Sequence, residues 1–427
     1  MKPVRVCKPL SLLIAIFFLV IFNNNLLFAG SVPPNTAPGK LLSYSLVKSF
    51  PYDKLKAFFK KHHIPSVVLP VNTGLNVYEV LYTSTYADNS IVQASGLLYV
   101  PVGSKRESPV MIYNHGTEIC RDRSCDFEGE QTICLAFATD GYVVLTPDYM
   151  GLGKGERTQL YLNSKAESTA SVDMLIAVKD LLPTLQVKTS NQLFVTGYSQ
   201  GGHAAMATTR LLQQQYANRF PVTASAPMSG PYNIAQTVWD GRKQRYDYPV
   251  FFFLLLQSYY ESIGKPNDIS KVLNSPYDTL VPPFLDGNYP IEEVGKLLPD
   301  TIFKTAKPEF LAQFENDSDS FFRRYLRDNN VFDWKPEMPM QLCYCNGDEE
   351  VNYLNSIVAY KTMKKNGAEN VELWRAGKKF GHENCALFAV IYTKMFFDGF
   401  RDGHPGYHGP AFKRLLLNLG KLSVKAR

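Results

Sequence analysis

The sequence predicts an α/β fold: a mostly parallel central sheet with helices on both faces and a helical cap insertion. Three observations carry this. From residue 109 onward, short continuous apolar runs alternate with longer helical ones, the pattern of a parallel sheet covered on both sides. Between Pro231 and Pro339 that alternation breaks for about a hundred residues of helix-like segments and Pro/Asn/Asp-rich turns. A stretch of that length inside a domain is an inserted element of structure and not one loop. Finally, Gly197-Tyr198-Ser199-Gln200-Gly201 sits between a strand-like run, Leu193 to Thr196, and a helix-like run from Gly202 to Ala207. Strand, sharp turn, helix is the setting in which G-x-S-x-G exposes a serine hydroxyl at a strand end.

The chain begins with a basic stretch (Lys2, Arg5, Lys8), an apolar core from Leu10 to Phe22, a polar break at Asn23-Asn24-Asn25, and Ala29 before a cleavage point. This reads as an export signal over residues 1–29 and places the product outside the cytoplasm, secreted or periplasmic. The alternative is an uncleaved anchor, although the apolar core falls short of the ~20 residues that span a bilayer. Residues 30–427 then form one catalytic domain, with the cap at about 231–339. The net charge of +6 includes the three leader cations and the rest is scattered, so no nucleic-acid surface is expected.

Residues 31–40 are Pro-rich and read as a linker. A charged amphipathic stretch covers Asp53 to Lys61. Val77 to Tyr86 and Ile91 to Val100 flank Ala87-Asp88-Asn89-Ser90 as a hairpin. Strands follow at Val110 to Tyr113, Tyr142 to Leu145, Leu193 to Thr196, Val222 to Pro227, Gln341 to Cys345 and Glu372 to Trp374. Helices are expected through Ile133 to Phe137, Val172 to Leu182, Tyr353 to Lys365 and Asn384 to Phe397. Pro249 to Leu256 is the most apolar part of the cap. It reads as a buried cap helix, as a wall for an acyl or alkyl group, or as both.

A serine hydroxyl needs an adjacent base. Of the histidines, His62 and His63 lie in the charged N-terminal stretch, and His404 and His408 in a Gly/Pro-rich tail. His203 lies on the helix after the elbow, facing away. His382 follows the last strand at the sheet's carboxyl edge, where chemistry sits in such folds, and is the candidate base. The base needs an acid to hold it. Asp348 follows the strand ending at Cys345 and a turn glycine, so it should reach inward, while Glu349 and Glu350 should face solvent or serve as helix N-terminal charges. Asp148 reads as a turn former. The oxyanion of a tetrahedral intermediate needs donors. One is the backbone N–H of Gln200, after the nucleophile. The other is the N–H of Thr117 in Asn114-His115-Gly116-Thr117, where His115 orients the loop. No spacing indicates a metal site, and no cofactor is expected.

Six cysteines follow the leader. Cys120 and Cys125 share a loop and could bridge, as could Cys345 and Cys385, each three residues from a candidate catalytic residue. Small buried hydrophobes are the competing reading.

Together these residues resemble the α/β-hydrolase superfamily over about residues 75–400, and within it the secretory lipases and esterases with a helical cap. The likeness is carried by Val77 to Thr85, Ser95 to Pro101, Asn114 to Thr117, Pro147 to Gly153, Gly197 to Gly202, Asp348 to Val351 and Gly381-His382. Asn352 departs from it, since a proline often follows that valine. The resemblance implies ester hydrolysis through a serine acyl-enzyme with a Ser199, Asp348, His382 triad. Substrates would be small-molecule or lipid esters, with contact at a lipid interface as an option. A peptidase of the prolyl-peptidase type, an acyltransferase and a non-catalytic binding module share the fold and are the rival readings.

Overall fold

Val110-Met111-Ile112-Tyr113 shows why the sheet is covered twice. Strand side chains alternate between faces, and both faces here are dry. Met111 and Tyr113 enter one apolar cluster with Phe137, Phe194 and Phe397, while Val110 and Ile112 enter another with Leu145, Met174 and Val195. Phe194 and Val195 of the neighbouring strand divide in the same way. Each fully buried large apolar side chain contributes about 1.5–3 kcal/mol, so a strand apolar at every position is stable only between two helical layers.

The computed structural model describes residues 36–406 except 63, 65, 67–68, 105, 122–126 and 243–248, together with residues 417 and 421. The expected leader lies outside the described residues. The strands are β1 (Leu41–Phe50), β2 (Gly74–Thr85), β3 (Ile91–Val102), β4 (Ser108–Asn114), β5 (Val143–Pro147), β6 (Thr189–Tyr198), β7 (Ala224–Met228), β8 (Met340–Cys345) and β9 (Val371–Gly377). They form one sheet in the order β1-β2-β3-β5-β4-β6-β7-β8-β9. The pairs β1·β2, β2·β3 and β3·β5 are antiparallel, and the remaining pairs are parallel. β5 lies on one side of β4 and β6 on the other. The loops after β4 and β6 therefore open over a common crevice, where such sheets bind ligands.

Among the described residues, four helices precede the insertion: α1 (Tyr52–Lys61), α2 (Glu130–Thr139), α3 (Ser164–Leu181) and α4 (Gln200–Gln215). Between β7 and β8 lie α5 (Ile234–Gly241), α6 (Val250–Ser262), α7 (Ile269–Val272), α8 (Tyr277–Leu280), α9 (Ile291–Gly295), α10 (Pro308–Asn316) and α11 (Phe321–Asp328). The chain ends its core with α12 (Leu354–Lys365) and α13 (His382–Arg401). α2 and α13 cover one face of the sheet, and α3 and α4 the other.

The inserted helices have their own apolar centre, in which Phe252, Phe253, Leu256, Phe314 and Phe322 meet Ile119, Tyr161 and Leu162 from loops of the sheet. The apolar run at Pro249 to Leu256 thus forms α6 and is mostly buried in the cap itself. Phe251 is its half-buried exception.

Two elements differ from the sequence reading. β1 is an additional strand, and its residues 43–49 are exposed. An edge strand open on both faces needs no apolar alternation, so none is there to read. α3 starts eight residues before Val172. Its first two turns are rich in Ser, Thr and Ala, and the Asn163 side chain caps them by accepting from the Ala166 N–H at 3.0 Å.

Candidate active site

β6 ends at Tyr198 and α4 begins at Gln200, which leaves Ser199 alone in the turn with φ 60° and ψ −123°. A residue with a side chain holds such a conformation only when its surroundings impose it. Here the Ser199 N–H donates to the Met228 carbonyl at 3.1 Å, and its own carbonyl accepts from Gly202 and His203 at 2.8 and 3.2 Å. The turn is also pressed against the end of β4. A Cβ at Gly197 would lie 2.4 Å from the Asn114 carbonyl oxygen, and one at Gly201 would lie 1.9 Å from it. Both positions of the G-x-S-x-G pattern therefore exclude any side chain. The Gln200 N–H lies in the first turn of α4, where amides lack intrahelical acceptors and the helix dipole is positive.

Asp348 follows β8. Its Oδ1 accepts from the amides of Val351 at 2.9 Å and Glu350 at 3.2 Å, the bonds that the Asp-x-x-Val spacing makes. The carboxylate also meets the His382 ring, with Nδ1 2.8 Å from Oδ1 and 2.9 Å from Oδ2. The two side chains are buried. Facing a carboxylate, Nδ1 carries the proton and leaves Nε2 as the basic nitrogen. Burial pushes the imidazole down, but the hydrogen bond and charge of Asp348 and the charges of Glu350 and Glu349 outweigh it. The ring is held above the ordinary histidine range.

His382 opens α13, and three restraints fix it there. Its N–H donates to Glu349 Oε2 at 3.0 Å. Its carbonyl accepts from the Tyr198 hydroxyl at 2.6 Å, and the two rings pack 4.8 Å apart. A disulfide joins Cys345, at the end of β8, to Cys385 in the first turn of α13. Tyr198 directly precedes Ser199, so the strand that leads to Ser199 and the helix that His382 opens are bonded together.

Glu349 is exposed and binds the His382 amide at the start of α13, as either reading of it allows, whereas the expectation for Glu350 needs correction. Glu350 is turned inward: its side chain is 11% exposed, and its Oε2 lies 3.9 Å from His382 Nε2. Asp348 draws the amides of Glu350 and Val351 onto itself, and in the loop so formed the Glu350 side chain lies beside the ring. Burial pushes the Glu350 carboxyl up to about 7, with His382 opposing and the neighbouring carboxylates adding to the rise.

The loop after β4 is braced from several sides. The ring nitrogens of His115 lie 2.7 Å from the Gly116 carbonyl oxygen and 3.3 Å from that of Asp148. Asp148 accepts from Ser95 Oγ at 2.6 Å. Both residues serve the loop and stand apart from the Asp348–His382 pair. The Gly116 N–H donates to both oxygens of Glu130, at 3.1 and 3.0 Å, and the Tyr113 hydroxyl donates to the same carboxylate at 2.8 Å. Thr117 is half-buried, with Oγ1 3.3 Å from the Tyr161 hydroxyl, whose ring stacks on Phe251 of the cap.

Gln200 is held through its side chain. Its Nε2 donates to Glu167 Oε1 at 2.8 Å, and Glu167 Oε2 lies 2.7 Å from His203 Nδ1. His203 Nε2 lies 2.9 Å from the Asn329 carbonyl oxygen at the end of the cap. His203 is thus on the far side of α4, as expected. Glu130, Glu167, Glu350 and Tyr198 were not candidates from sequence, and no local pattern marks them. Of the cysteines, Cys134 and Cys343 are buried, while Cys125, and with it a pairing to Cys120, lies outside the described residues.

Residues 124–240 match the Secretory lipase family. The rice cell wall degrading esterase LipA from Xanthomonas oryzae is similar over 86% of this chain and 98% of its own, at 26% identity and a TM-score of 0.75. A Legionella pneumophila protein assigned as a hydrolase is similar over 85% and 98%, at 27% identity and a TM-score of 0.77. Candida antarctica lipase A in its closed state shares the fold over 89% and 87%, at 16% identity and a TM-score of 0.66. No curated protein matches the chain. The molecule is an α/β-hydrolase similar to secretory lipases and esterases.

Proposed function

We propose that this α/β-hydrolase is an exported serine hydrolase of carboxylic esters. Ser199 Oγ attacks the ester carbonyl while its proton passes to His382 Nε2, and Asp348 holds the resulting imidazolium. The amides of Gln200 and Thr117 stabilise the oxyanion. The tetrahedral intermediate collapses as the bond to the alkoxy oxygen breaks and the Nε2 proton moves to that oxygen. Water then repeats the sequence on the acyl-enzyme and releases the acid.

The observation that carries the reading is the Asp348–His382 hydrogen bond, tied by the Tyr198 hydroxyl to the residue beside Ser199. The esterase relative supports ester cleavage. Export is supported by the basic and apolar start of the chain, by the secretory family match, and by a disulfide of the kind that persists in oxidising compartments. On this reading residues 1–29 are removed and residues 231–339 form the cap.

The test compares wild type with Ser199→Ala on p-nitrophenyl esters from C2 to C16 and on matched peptide anilides. The wild type should turn over esters in preference to anilides and react with a fluorophosphonate probe. Ser199→Ala should lose at least about 10³-fold in kcat and all labelling. Turnover retained by the variant overturns the reading, and anilides hydrolysed faster than esters make the enzyme a peptidase.

A further inference from the structure

The imidazole of His382 has a carboxyl group at each nitrogen. Asp348 accounts for Nδ1. Nε2 must accept the serine proton in the reading above, yet Glu350 Oε2 stands 3.9 Å from it. That is ion-pair distance, about 1 Å longer than a hydrogen bond. With the side chain 11% exposed, water screens the pair little.

The charged and titratable groups facing Glu350 are His382, Asp348, Glu349 and Glu383, and its charge also reaches the Tyr161 and Tyr198 hydroxyls. His382 alone among them can offer a cation. Three other carboxylates and burial disfavour a lone negative charge on Glu350, which leaves it a proton or the imidazolium as partner.

We propose that Glu350 is a second carboxylate partner of His382, sharing a proton with Nε2 in the resting enzyme and stabilising the imidazolium once Ser199 attacks. The proposal rests on the ester-hydrolase reading, and Glu350 acts through His382 and not on the ester.

The proton inventory has three states. With two protons, both groups are fully protonated and Nε2 is blocked. With one, the proton lies between Nε2 and Oε2 and the lone pair is still engaged. With none, Nε2 is free to take the serine proton, and the imidazolium then forms between two anions. The same proton leaves with the alkoxide and Glu350 ends unchanged. Because the competent state has lost both protons, the titration belongs to the pair. Burial holds the Glu350 carboxyl up and the surrounding carboxylates hold His382 up, so both losses fall on the acid limb, and sharing of the proton separates them.

The experiment is the pH dependence of kcat/KM on p-nitrophenyl butyrate from pH 4.5 to 9.5 at constant ionic strength, for wild type, Glu350→Gln and Glu350→Asp. At the acid end of the wild-type profile, below both losses, the logarithmic slope should approach two, and between them it should be one. Glu350→Gln should show a slope of one and a midpoint about one pH unit lower, since a lost anion favours the neutral ring. On the alkaline plateau it should be about tenfold slower, since the imidazolium has lost a partner. The two curves therefore cross.

Fluorophosphonate labelling rates should follow the same profiles. Should Glu350→Gln fail to fold, Glu350→Asp reports on the same pair, lowering the midpoint by a few tenths of a unit. An unchanged slope and midpoint in the folded variant overturns the proposal while leaving the hydrolase reading intact. Loss of that reading shows separately, as turnover that survives Ser199→Ala.

Discussion

Cys345 and Cys385 are joined by a disulfide that ties the end of β8 to the first turn of α13, closing a loop of sequence separation 40. Asp348 lies just after the first cysteine and His382 just before the second, so the bond clamps the two segments whose side chains meet at 2.8 Å. A cross-link of this loop size contributes about 2–4 kcal/mol. The double variant Cys345→Ala/Cys385→Ala should lose about that much in urea unfolding, and its kcat should fall as the pair loosens. A denaturation midpoint and kcat equal to those of wild type would show that the bond clamps nothing.

Glu130 should matter to rate more than to binding. Its carboxylate receives the Gly116 amide and the Tyr113 hydroxyl and so sets the loop that carries Thr117. On the proposed mechanism a shift of this loop displaces the Thr117 amide from the oxyanion, and small misplacements cost up to about 10²-fold. Glu130→Ala should lower kcat by about 10- to 100-fold with KM within about threefold. A rise in KM at constant kcat would assign Glu130 to substrate binding.

Stability should fall as pH rises through the titration of Asp173. Burial pushes this carboxyl up to about 6, against hydrogen bonds from Ser84 and the Thr85 backbone. An unfolded aspartate loses its proton near pH 3.9, so the folded state binds more protons between about pH 4 and 6. The group's contribution is complete below pH ~4 and is lost as pH rises through ~6. Relative to wild type, Asp173→Asn should therefore be about 2–3 kcal/mol more stable at pH 8 than it is at pH 4. Parallel stability curves for the two proteins would refute this.

The parts of the site legible in the sequence are those set by local backbone chemistry. Ser199 stands out because a turn that leaves no room for a side chain at Gly197 and Gly201 writes itself as two glycines. Asp348 stands out because its bonds to Glu350 and Val351 span only two and three residues. The strands β4 and β6 are legible because burial on both faces demands an unbroken apolar run. β1 demands nothing of the kind and passes unnoticed.

Glu130, Glu167 and Glu350 carry no such mark. Glu130 meets an amide 14 residues earlier in the chain, and Glu167 meets Gln200 33 residues later. In the sequence each is one more acidic residue in or beside a polar stretch. Glu350 even reads as a solvent-facing or helix N-terminal charge, because its place beside the His382 ring exists only once the loop is folded.

By itself, then, the sequence determined the alternation of strands and helices from β2 onward outside the cap, the elbow, and which serine, aspartate and histidine lie at strand ends, since each follows from periodicity and turn chemistry within a few residues. Only the tertiary structure decided which carboxylates surround the imidazole, which acid holds the loop after β4, and that Tyr198 bonds His382. Those outcomes depend on the distance between chain segments far apart in sequence, and no residue in either segment records that distance.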